Sequence, residues 1–447
     1  MNAHAIAIIR TIREAGYQAY LVGGCVRDLI LCREPADYDV TTNATPAQVM
    51  SLFPETYAVG AQFGVVLVPA PRGESGQEAG VVEVATFRTD VGYSDGRRPD
   101  EVRYSQDPRE DVERRDFTIN GLLLDLLKEG SAADEVLDFV GGRADIEAGI
   151  IRTIGDPELR FTEDKLRLMR AVRFAARLDY AIEPQTFAAL RKLAPQIHQV
   201  SRERVAEELH KMLTEGRARR AFELLDATNL LPEVLPEISA MKGVAQPPQY
   251  HPEGDVWNHT LLLLENLPHP CSRTQAWGAL LHDVGKPPTF RVAPDRIRFD
   301  GHVEVGVKMA EEICRRLRFS GADTAQILAL IKNHMRFADL PRMKESTLKK
   351  FLRMPRIEEH LEQHRLDCVA SHGDLSLYDF AREKLASMPP ETMRPQPLLT
   401  GEDLIRRGYP PGPRFKEILA AVEDAQLEGQ LQSKDQALAW AQQVFPI

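Results

Sequence analysis

The first 150 residues alternate between two patterns of apolar positions, one with the period of a helix and one with the period of a strand. Residues 1–16 place apolar side chains at helical spacing with charges of both signs between them, which predicts an amphipathic helix. The runs GVVLVPA from Gly64 and VVEVATF from Val81 alternate as half-buried strands do, and the polar stretch between them predicts a hairpin at a sheet edge. An α/β domain is therefore expected here.

From Thr162 the apolar pattern becomes helical. The run TEDKLRLMRAVRFAARL begins with Thr162 as the candidate N-cap, and we expect Glu163 and Asp164 in the first turn, where carboxylates favour the helix dipole. Leu166, Met169 and Ala176 then line one side of this predicted helix. Three arginines recur at every third position along another side, namely Arg167, Arg170 and Arg173.

The composition is that of an ordinary globular protein of two to four domains. The 447 residues are 43% hydrophobic and 27% charged, and no apolar run approaches the ~20 residues of a membrane span. Five cysteines occur without a C-x-x-C pair, which predicts neither a disulfide framework nor a zinc knuckle and indicates a reducing, cytoplasmic compartment. We expect no membrane association and no obligate protein partner.

The charge is unevenly distributed along the chain. The net charge of -10 argues against a polyanionic partner when taken alone. Residues 151–220, however, contain 15 Lys and Arg against 10 Asp and Glu. A restricted basic face of this kind suits a compact RNA better than a long polymer.

The stretch LVGGCVRDLILCREPADYDVTT, from Leu21, combines two features of phosphate chemistry. Gly23 and Gly24 follow a strand-like run and precede a helix-like run, so their amides are placed for a phosphate, with Arg27 one turn further on. Asp37 and Asp39 are two residues apart, and on a strand they would project from one face. Such carboxylates repel each other unless a divalent cation lies between them, and oxygen ligands suit magnesium. Together the two features predict nucleotidyl transfer.

Two further carboxylates have open interpretations. Glu83 lies inside a predicted strand, where a lone acid usually faces solvent; alternatively, it is a third carboxylate beside Asp37 and Asp39 in a two-metal site. Asp164 precedes the arginines of the predicted helix, and that stripe is either a solvated face or a reader of bases. An accepting Asp and a donating Arg match cytosine and adenine, which both show a ring-nitrogen acceptor beside an amino donor, and reject guanine and uracil.

Six ordered motifs between about residues 20 and 215 resemble those of the class II tRNA nucleotidyltransferases and bacterial poly(A) polymerases. They are GGCVRD, DYDVTT, RRDFTIN, DFVGGRADI, EDKLRLMRAVRFAARL and SRERVAEEL. The resemblance implies an α/β head of polymerase β type followed by all-α neck and body, HD and tail domains. It also implies template-independent addition of CMP and AMP to the 3′ end of tRNA from CTP and ATP, with release of pyrophosphate.

The same resemblance assigns roles to individual residues. Asp37 and Asp39 would be the catalytic pair that binds magnesium. The ATP or CTP would be held by Gly24, Arg27, Arg115, Asp164, Arg167, Arg170 and Arg173. The expected domains are the head at 1–150, the neck and body at 151–245, an HD-type helical domain at 246–387, and a helical tail at 388–447.

The region from 251 to 374 has the composition of a second metal site. A satisfied helix histidine is the ordinary interpretation of any one of its histidines. Together, however, they resemble the HD phosphohydrolase domain, which implies a second divalent metal and hydrolysis of cyclic phosphate or phosphomonoester ends. The expected metal site consists of His259, His282, Asp283 and Asp367, with His302 and His334 between them.

The end product is left open by the sequence. Members of the family that add only cytidines lack a loop before RRDFT, so the segment GYSDGRRP from Gly92 favours an enzyme that adds the terminal A. The alternatives are a poly(A) polymerase, for which a strongly basic extension is expected and none is found, and an HD hydrolase whose head only binds RNA. The second alternative leaves Asp37, Asp39 and Arg115 unexplained.

Overall fold

The structure is a computed structural model in which the chain forms two compact units, Met1–Ser239 and Ala240–Ile447. The described residues are 3–58, 63–70, 80–92, 99–127 and 135–447. Residues 71–79 of the predicted hairpin loop and residues 93–98 of the segment GYSDGRRP lie outside these ranges. Within the described residues, no helix combines the length and the apolar character needed to cross a membrane.

The strands of the first unit come from the region predicted to be α/β and from its junction with the helices. In chain order they are β1 (Ala19–Val22), β2 (Asp39–Thr42), β3 (Val65–Pro69), β4 (Val81–Thr86), β5 (Arg88–Val91), β6 (Glu101–Tyr104), β7 (Leu122–Leu124), β8 (Val136–Asp138), β9 (Ile150–Ile151) and β10 (Ala181–Ile182).

A six-stranded mixed sheet in the order β3-β4-β2-β1-β7-β8 forms the centre of the first unit. The pair β3 and β4 is antiparallel and β3 lies at the sheet edge, so the predicted hairpin is confirmed. Strands β2 and β4 run parallel, and their register places Asp39 opposite Glu83. Since residues opposite each other on paired strands share a face of the sheet, the two carboxylates are neighbours.

Helices surround the sheet and then replace it along the chain. In the first unit they are α1 (Ala3–Glu14), α2 (Gly24–Ile30), α3 (Pro46–Leu52), α4 (Pro108–Glu113), α5 (Gly142–Ala148), α6 (Pro157–Glu163), α7 (Leu166–Leu178), α8 (Pro184–Leu193), α9 (Arg202–Thr214), α10 (Ala218–Ala227), α11 (Leu231–Val234) and α12 (Pro236–Ser239). Helix α7 is central to the helical part because Leu168, Met169 and Val172 are fully buried.

The predicted start of helix α7 is wrong. Thr162 lies in the last turn of α6, where its hydroxyl donates to the Glu158 carbonyl at 2.8 Å, so it caps no helix start. Glu163 ends α6, and Asp164 has extended backbone angles that break the helix before Leu166. The sequence run is continuous and apolar at helical spacing, which hides this break. Its consequence is that Asp164 precedes α7 instead of lying in its first turn.

The second unit is helical apart from one short hairpin, which agrees with the predicted all-α region. Its elements are α13 (Val256–Glu265), α14 (Arg273–Leu281), α15 (Lys286–Thr289), β11 (Arg291–Val292), β12 (Ile297–Arg298), α16 (His302–Arg316), α17 (Gly321–Asn333), α18 (Glu345–Leu352), α19 (Ile357–Ala370), α20 (Ser376–Ser387), α21 (Pro390–Met393), α22 (Gly401–Arg406), α23 (Arg414–Leu427) and α24 (Lys434–Val444).

The tail helices have a core of their own and are joined to the preceding helices by polar contacts. Leu404, Ile418 and Val422 belong to the buried cluster of the tail. The Lys349 ammonium on α18 donates to the carbonyl of Leu427 at 2.7 Å, at the end of α23. These contacts anchor the tail within the second unit.

Candidate active site

Two carboxylates define one side of a cavity in the first unit. Asp39 is the first residue of β2, whereas Asp37 lies in a bend before it, so the expectation that both stand on one strand is wrong. Strand β1 ends at Val22 because Gly23 turns the chain into α2, which leaves Asp37 without a β1 partner. Both carboxylates nevertheless line the same cavity of about 500 Å³.

The electrostatics around Asp39 favour a bound cation. Burial raises the pKa of Asp39, the charges of Glu83 and Asp37 raise it further, Arg115 opposes them, and the result is about 6. Two neighbouring carboxylates and one arginine therefore act on a carboxylate whose pKa is raised mainly by burial. A set of carboxylate donors of this kind fits a hard divalent cation with oxygen ligands. Glu83 is exposed and lies beside Asp39, although it does not line the cavity itself.

The glycine turn and two arginines form the next part of the cavity. Gly23 has a φ of 80°, which glycine adopts without strain, and a Cβ there would lie 3.4 Å from Arg115 Nη1. Arg27 is 2% exposed and donates to Asp28 and to the Asn120 side chain at 2.7 Å each. Arg115 is paired with the buried carboxylate of Asp111 at 3.0 Å. These cations are fixed in place by neighbouring polar groups.

The arginines of α7 face the same cavity, and each is held by an acid. Arg167 pairs with Glu163 at 2.7 Å, Arg170 with Asp116 at 2.6 Å, and Arg173 with Glu208 at 2.7 Å. Burial alone would raise the pKa of Asp116, but the charges of Arg170 and Arg167 lower it to about 2. The stripe is therefore an ordered wall of the cavity and not a solvated helix face.

Asp164 is fixed between α6 and α7 by a partner that the sequence did not single out. Its Oδ1 accepts from the Leu166 amide at 3.0 Å, and its carboxylate receives two bonds from Arg204 on α9, at 2.9 and 3.3 Å. Arg204 lies in the motif SRERVAEEL. The resemblance of that motif to the family was the sequence signal that could have identified this arginine. Arg204 therefore orients the carboxylate that is proposed to read the base.

Replacing Arg204 with methionine should weaken base discrimination. Methionine has a similar reach but no donors, so the Asp164 carboxylate would lose two charge-assisted hydrogen bonds and the preference for CTP over UTP should fall on the order of tenfold. The measurement is kcat/KM for each nucleotide on one tRNA substrate. Arg202→Met on the same helix is the matched control. An unchanged CTP to UTP ratio in Arg204→Met would show that Arg204 has no positioning role.

The structure brings the predicted residues of the first unit together, apart from Glu83. The cavity is lined by Gly24, Arg27, Asp37, Asp39, Arg115, Asp164, Arg167, Arg170 and Arg173. It also includes polar residues that sequence reasoning passed over, namely Asp28, Arg114, Asp116, Asn120 and Arg177. Asp116 and Asn120 lie within the motif RRDFTIN, which pointed to them without assigning a role. The individual roles of the lining residues stay predictions.

A second constellation lies in the second unit around the buried carboxylate of Asp283. Its Oδ2 is 3.1 Å from His282 Nε2 and 2.7 Å from the Lys286 ammonium. Its Oδ1 is 3.9 Å from Nε2 of both His302 and His334. We call the following set the histidine–aspartate cluster: His259, His282, Asp283, His302, His334 and Asp367.

Hydrogen bonds orient the histidines of this cluster. His259 Nδ1 is 2.7 Å from Glu253 Oε1, which leaves its Nε2 facing Asp367 at 3.1 Å. Burial would lower the pKa of His259, but the hydrogen bonds to Asp367 and Glu253 raise it to about 9. Burial lowers the pKa of His334 to about 4, so that ring is neutral at pH 7. Glu253 and Lys286 were not identified from the sequence.

The donor atoms of the cluster fall into two groups with the spacing of metal ligands. His259, His282 and Asp367 form one group, and Asp283, His302 and His334 form the other, with all donor atoms of a group within 4.8 Å. The Nε2 of His302 is buried and makes no hydrogen bond to any described residue. Imidazole and carboxylate donors with an unsatisfied nitrogen fit divalent cations such as zinc, nickel or iron.

Three family models match consecutive parts of the chain. Residues 19–152 match the Poly A polymerase head domain, and residues 179–242 match the probable RNA and SrmB-binding site of polymerase A. Residues 255–371 match the HD domain. The head model covers the cavity residues from Gly23 to Asn120, and the HD model covers the histidine–aspartate cluster, whereas Asp164 and the arginines of α7 lie between the first two matches.

Relatives match nearly the whole chain. A CCA-adding enzyme of Geobacillus sp. (strain WCH70) is 32% identical over 444 residues, covering 98% of this chain and 95% of the relative. A CCA-adding enzyme of Lactobacillus helveticus is 40% identical over 266 residues, covering 58% of this chain and 63% of the relative.

Solved structures have the same fold. The Bacillus stearothermophilus CCA-adding enzyme in complex with CTP aligns with a TM-score of 0.74 at 29% identity, covering 99% of this chain and 98% of that one. The Thermotoga maritima enzyme complexed with tRNA aligns with a TM-score of 0.58 at 18% identity, covering 98% and 94%, which supports the fold alone. The predicted α/β head with its helical and HD regions is thereby confirmed, and the chain belongs to the family of CCA-adding enzymes.

Proposed function

We propose that this protein adds CMP and AMP to the 3′ end of tRNA, using CTP and ATP and releasing pyrophosphate. One observation carries the proposal: a single cavity has the Asp37 and Asp39 carboxylates on one side and the arginines of α7 with Asp164 on another. Carboxylates suit a metal, arginines suit a triphosphate, and an Asp beside an Arg suits a base edge. The relatives named CCA-adding enzymes support the same assignment.

The carboxylates are the proposed metal ligands. Enzymes of this family use divalent metals, and we propose magnesium because the ligands are all oxygens. A metal bound at Asp37 and Asp39 would lower the pKa of the tRNA 3′-hydroxyl and neutralise negative charge on the departing pyrophosphate. Glu83, opposite Asp39 in the sheet, is the proposed further carboxylate of that set.

The remaining residues bind and orient the nucleotide. Arg115 and Arg27, with the amide of Gly24, face the triphosphate, so that the 3′-hydroxyl attacks the α-phosphorus and the bond to the β-phosphate breaks. Asp164 accepts from the exocyclic amino group of C or A, and Arg167 donates to the ring nitrogen. No covalent enzyme intermediate is required.

The end product is tested with three tRNA transcripts, ending before CCA, after C and after CC, each incubated with one labelled nucleotide at a time. We expect CMP incorporation on the first two transcripts and AMP on the third, since the relatives named CCA-adding enzymes span the full length of this chain. AMP on the third transcript alone would identify an A-adding enzyme. Long A tails on unrelated RNA would identify a poly(A) polymerase.

Metal binding in the head should depend on pH through Asp39. The pKa of this carboxyl is raised to about 6, so it is ionised at pH 7 and takes up a proton as the pH falls through that value. Because the proton competes with the cation, the Mg²⁺ concentration for half-maximal CMP incorporation should rise about tenfold for each pH unit below that pKa. A titration at pH 5, 6, 7 and 8 checks this, and a Mg²⁺ requirement that is constant across the series contradicts it.

A second activity is proposed for the histidine–aspartate cluster. The match of residues 255–371 to the HD domain and the two groups of donor atoms favour metal-dependent hydrolysis of a phosphate ester. With Ni²⁺ or Mg²⁺ the protein should open 2′,3′-cyclic nucleotides, water adding to phosphorus as one ester bond to the ribose breaks. The metal would be held by His259, His282, Asp283 and Asp367, with His302 and His334 close by.

His282→Ala should abolish this hydrolysis and leave nucleotide addition unchanged, because His282 belongs to the second unit and does not line the cavity that holds Asp37 and Asp39. Turnover of 2′,3′-cyclic AMP with each metal is the measurement. His372→Ala, an exposed histidine of the same unit, is the matched control. Hydrolysis that persists in His282→Ala would show that a contaminant or another site is responsible for it. The absence of hydrolysis by the wild type would refute the proposed activity.

The compartment and the domain boundaries complete the proposal. We propose the cytoplasm as the compartment, since tRNA is the substrate and the five cysteines are free. We keep the division into head (1–150), neck and body (151–245), HD domain (246–387) and tail (388–447) as a proposal for domain boundaries.

A further inference from the structure

A short hairpin with two different faces lies next to the histidine–aspartate cluster. Strands β11 and β12 pair Arg291 with Arg298 and Val292 with Ile297. Since residues opposite each other in an antiparallel pair share a face, the arginines lie on one side and the apolar residues on the other. We call the apolar side, formed by Phe290, Val292, Ile297 and Phe299, the aromatic face.

Half of the aromatic face is exposed, since Ile297 and Phe299 are half-buried whereas Phe290 and Val292 are exposed. Phe290 is 39% exposed and Val292 is 71% exposed. The rings of Phe290 and Phe299 lie 5.9 Å apart with an interplanar angle of 51°, so they pair at the base of the hairpin. Exposed apolar surface of this kind on a folded protein commonly marks a binding site.

The hairpin is continuous with the proposed metal centre at both of its ends. At the outgoing end, His302 Nδ1 is 3.0 Å from the carbonyl of Phe299, which orients the unsatisfied Nε2 of His302 into the cluster. At the incoming end, the Lys286 ammonium is 2.7 Å from Asp283 Oδ2 and 5.4 Å from the centre of the Phe299 ring. The Lys286 ammonium, which is buried and also donates to Gln246 Oε1 at 2.7 Å, therefore lies between the Phe299 ring and the Asp283 carboxylate.

The chemical groups of this surface indicate which class of ligand it would bind. An exposed apolar surface with two tilted phenylalanine rings, close to an ammonium group and to the proposed metal ligands, suits a molecule with an aromatic ring and a phosphate. Nucleobases of every kind stack favourably on exposed aromatic side chains, because each base has an aromatic face. The arginines of the opposite face are paired with acids, Arg291 with Asp300 and Arg298 with Asp295, each at 2.8 Å, and do not lie on the aromatic face.

We propose that the aromatic face is the subsite for the base of a nucleoside phosphate whose phosphate group is hydrolysed at the histidine–aspartate cluster. This inference rests on the proposed hydrolytic activity and specifies its substrate: a phosphate ester that bears a nucleobase, in preference to one that lacks it. Phe290 and Phe299 set this specificity, and Lys286 lies between the base and the phosphate.

Binding is tested without turnover by the Phe290→Trp variant of the full-length protein. Tryptophan keeps a stacking surface at this exposed position and reports on it by fluorescence. With Mg²⁺ present, adenosine 3′-phosphate should quench the added fluorescence saturably, whereas ribose 5-phosphate at the same concentrations should not. The wild type supplies the background from the native tryptophans, and Val444→Trp, at an exposed position on α24, supplies the control for nonspecific quenching.

Several results of this titration would overturn the inference. They are no saturable quench, an equal quench with ribose 5-phosphate, and an equal quench in Val444→Trp. A fluorescence change that depends on protein concentration and not on nucleotide would assign the face to contact with a second copy of the chain. Because the readout is binding, a protein that hydrolyses nothing still gives a decisive result.

Turnover supplies the second test. Phe290→Ala should raise KM for 2′,3′-cyclic AMP about tenfold or more, with kcat little changed, because about 1–3 kcal/mol of stacking is lost from binding alone. Hydrolysis of glycerol 2-phosphate, which has no base, should be the same in the wild type and in Phe290→Ala. Equal loss on both substrates would contradict base recognition while leaving the hydrolytic activity intact. No turnover by the wild type would instead refute the proposed activity.

Discussion

Asp39→Ala should lose nucleotide addition by about 10³-fold or more while binding tRNA nearly as well as the wild type. The carboxylate lies at the start of β2, beside Asp37 and opposite Glu83, where its proposed role is to bind metal and not RNA. Removing it deletes the ligand through which the 3′-hydroxyl would be activated. Single-turnover incorporation of CMP gives the rate, and filter binding of tRNA gives the affinity.

The loss in Asp39→Ala should not come from unfolding. Since the pKa of Asp39 is raised to about 6 in the folded protein, its ionised form opposes folding at pH 7. The melting temperature of the variant should therefore equal or exceed that of the wild type. Glu34→Ala, an exposed acid on the same segment, is the matched control and should be fully active. Equal losses of tRNA binding and of activity would refute this division of roles.

Asp164→Ala should relax the choice of base more than it slows the transfer of the correct nucleotide. Asp164 is the only acid we assign to the base edge, and one bidentate base contact is worth about 1–3 kcal/mol of discrimination, or about tenfold to a hundredfold. The ratios of kcat/KM for CTP over UTP and for ATP over GTP should fall by this amount. Labelled incorporation into one tRNA transcript measures each ratio.

The control for Asp164→Ala is Asp179→Asn, at the opposite end of α7. Asp179 has a φ of 63°, which asparagine accepts, so the exchange removes a charge without backbone strain. Its nucleotide preference should match that of the wild type. Unchanged preference in Asp164→Ala would show that the base is read by other groups. Arg204→Met should produce the same kind of change with a smaller magnitude, since the Leu166 amide would still bind the carboxylate.

Local sequence patterns were sufficient to predict the edge hairpin of the sheet and the glycine turn that borders the cavity. The alternation around Val66 and Val84 predicted the edge hairpin, because side chains of a half-buried strand must alternate between core and solvent. The glycine turn at Gly23 was predicted for a similar reason, since its positive φ is a local requirement. Such features depend only on residues that are close together in the sequence.

Features that depend on contacts far apart in the chain were not predictable. Arg204 and Asp164 are 40 residues apart, and Arg170 and Asp116 are 54 apart, so no spacing rule connects them. The register that places Glu83 beside Asp39 depends on a parallel pairing of β2 with β4. The break in the helix before Leu166 was missed because the helical spacing of apolar residues continues through it. In the second unit, Glu253 lies close to His259 in sequence, but no sequence pattern indicated that its carboxylate would bond to the His259 ring.

The acids behind the arginines of α7 have a thermodynamic consequence for substrate binding. Ordering a long side chain on binding costs about 0.5–1.5 kcal/mol for each one. Because Arg170 and Arg173 are already fixed by Asp116 and Glu208, that entropy is lost when the chain folds and not when a nucleotide binds. In the proposed reaction, each addition therefore starts from the same ordered arrangement of charged side chains.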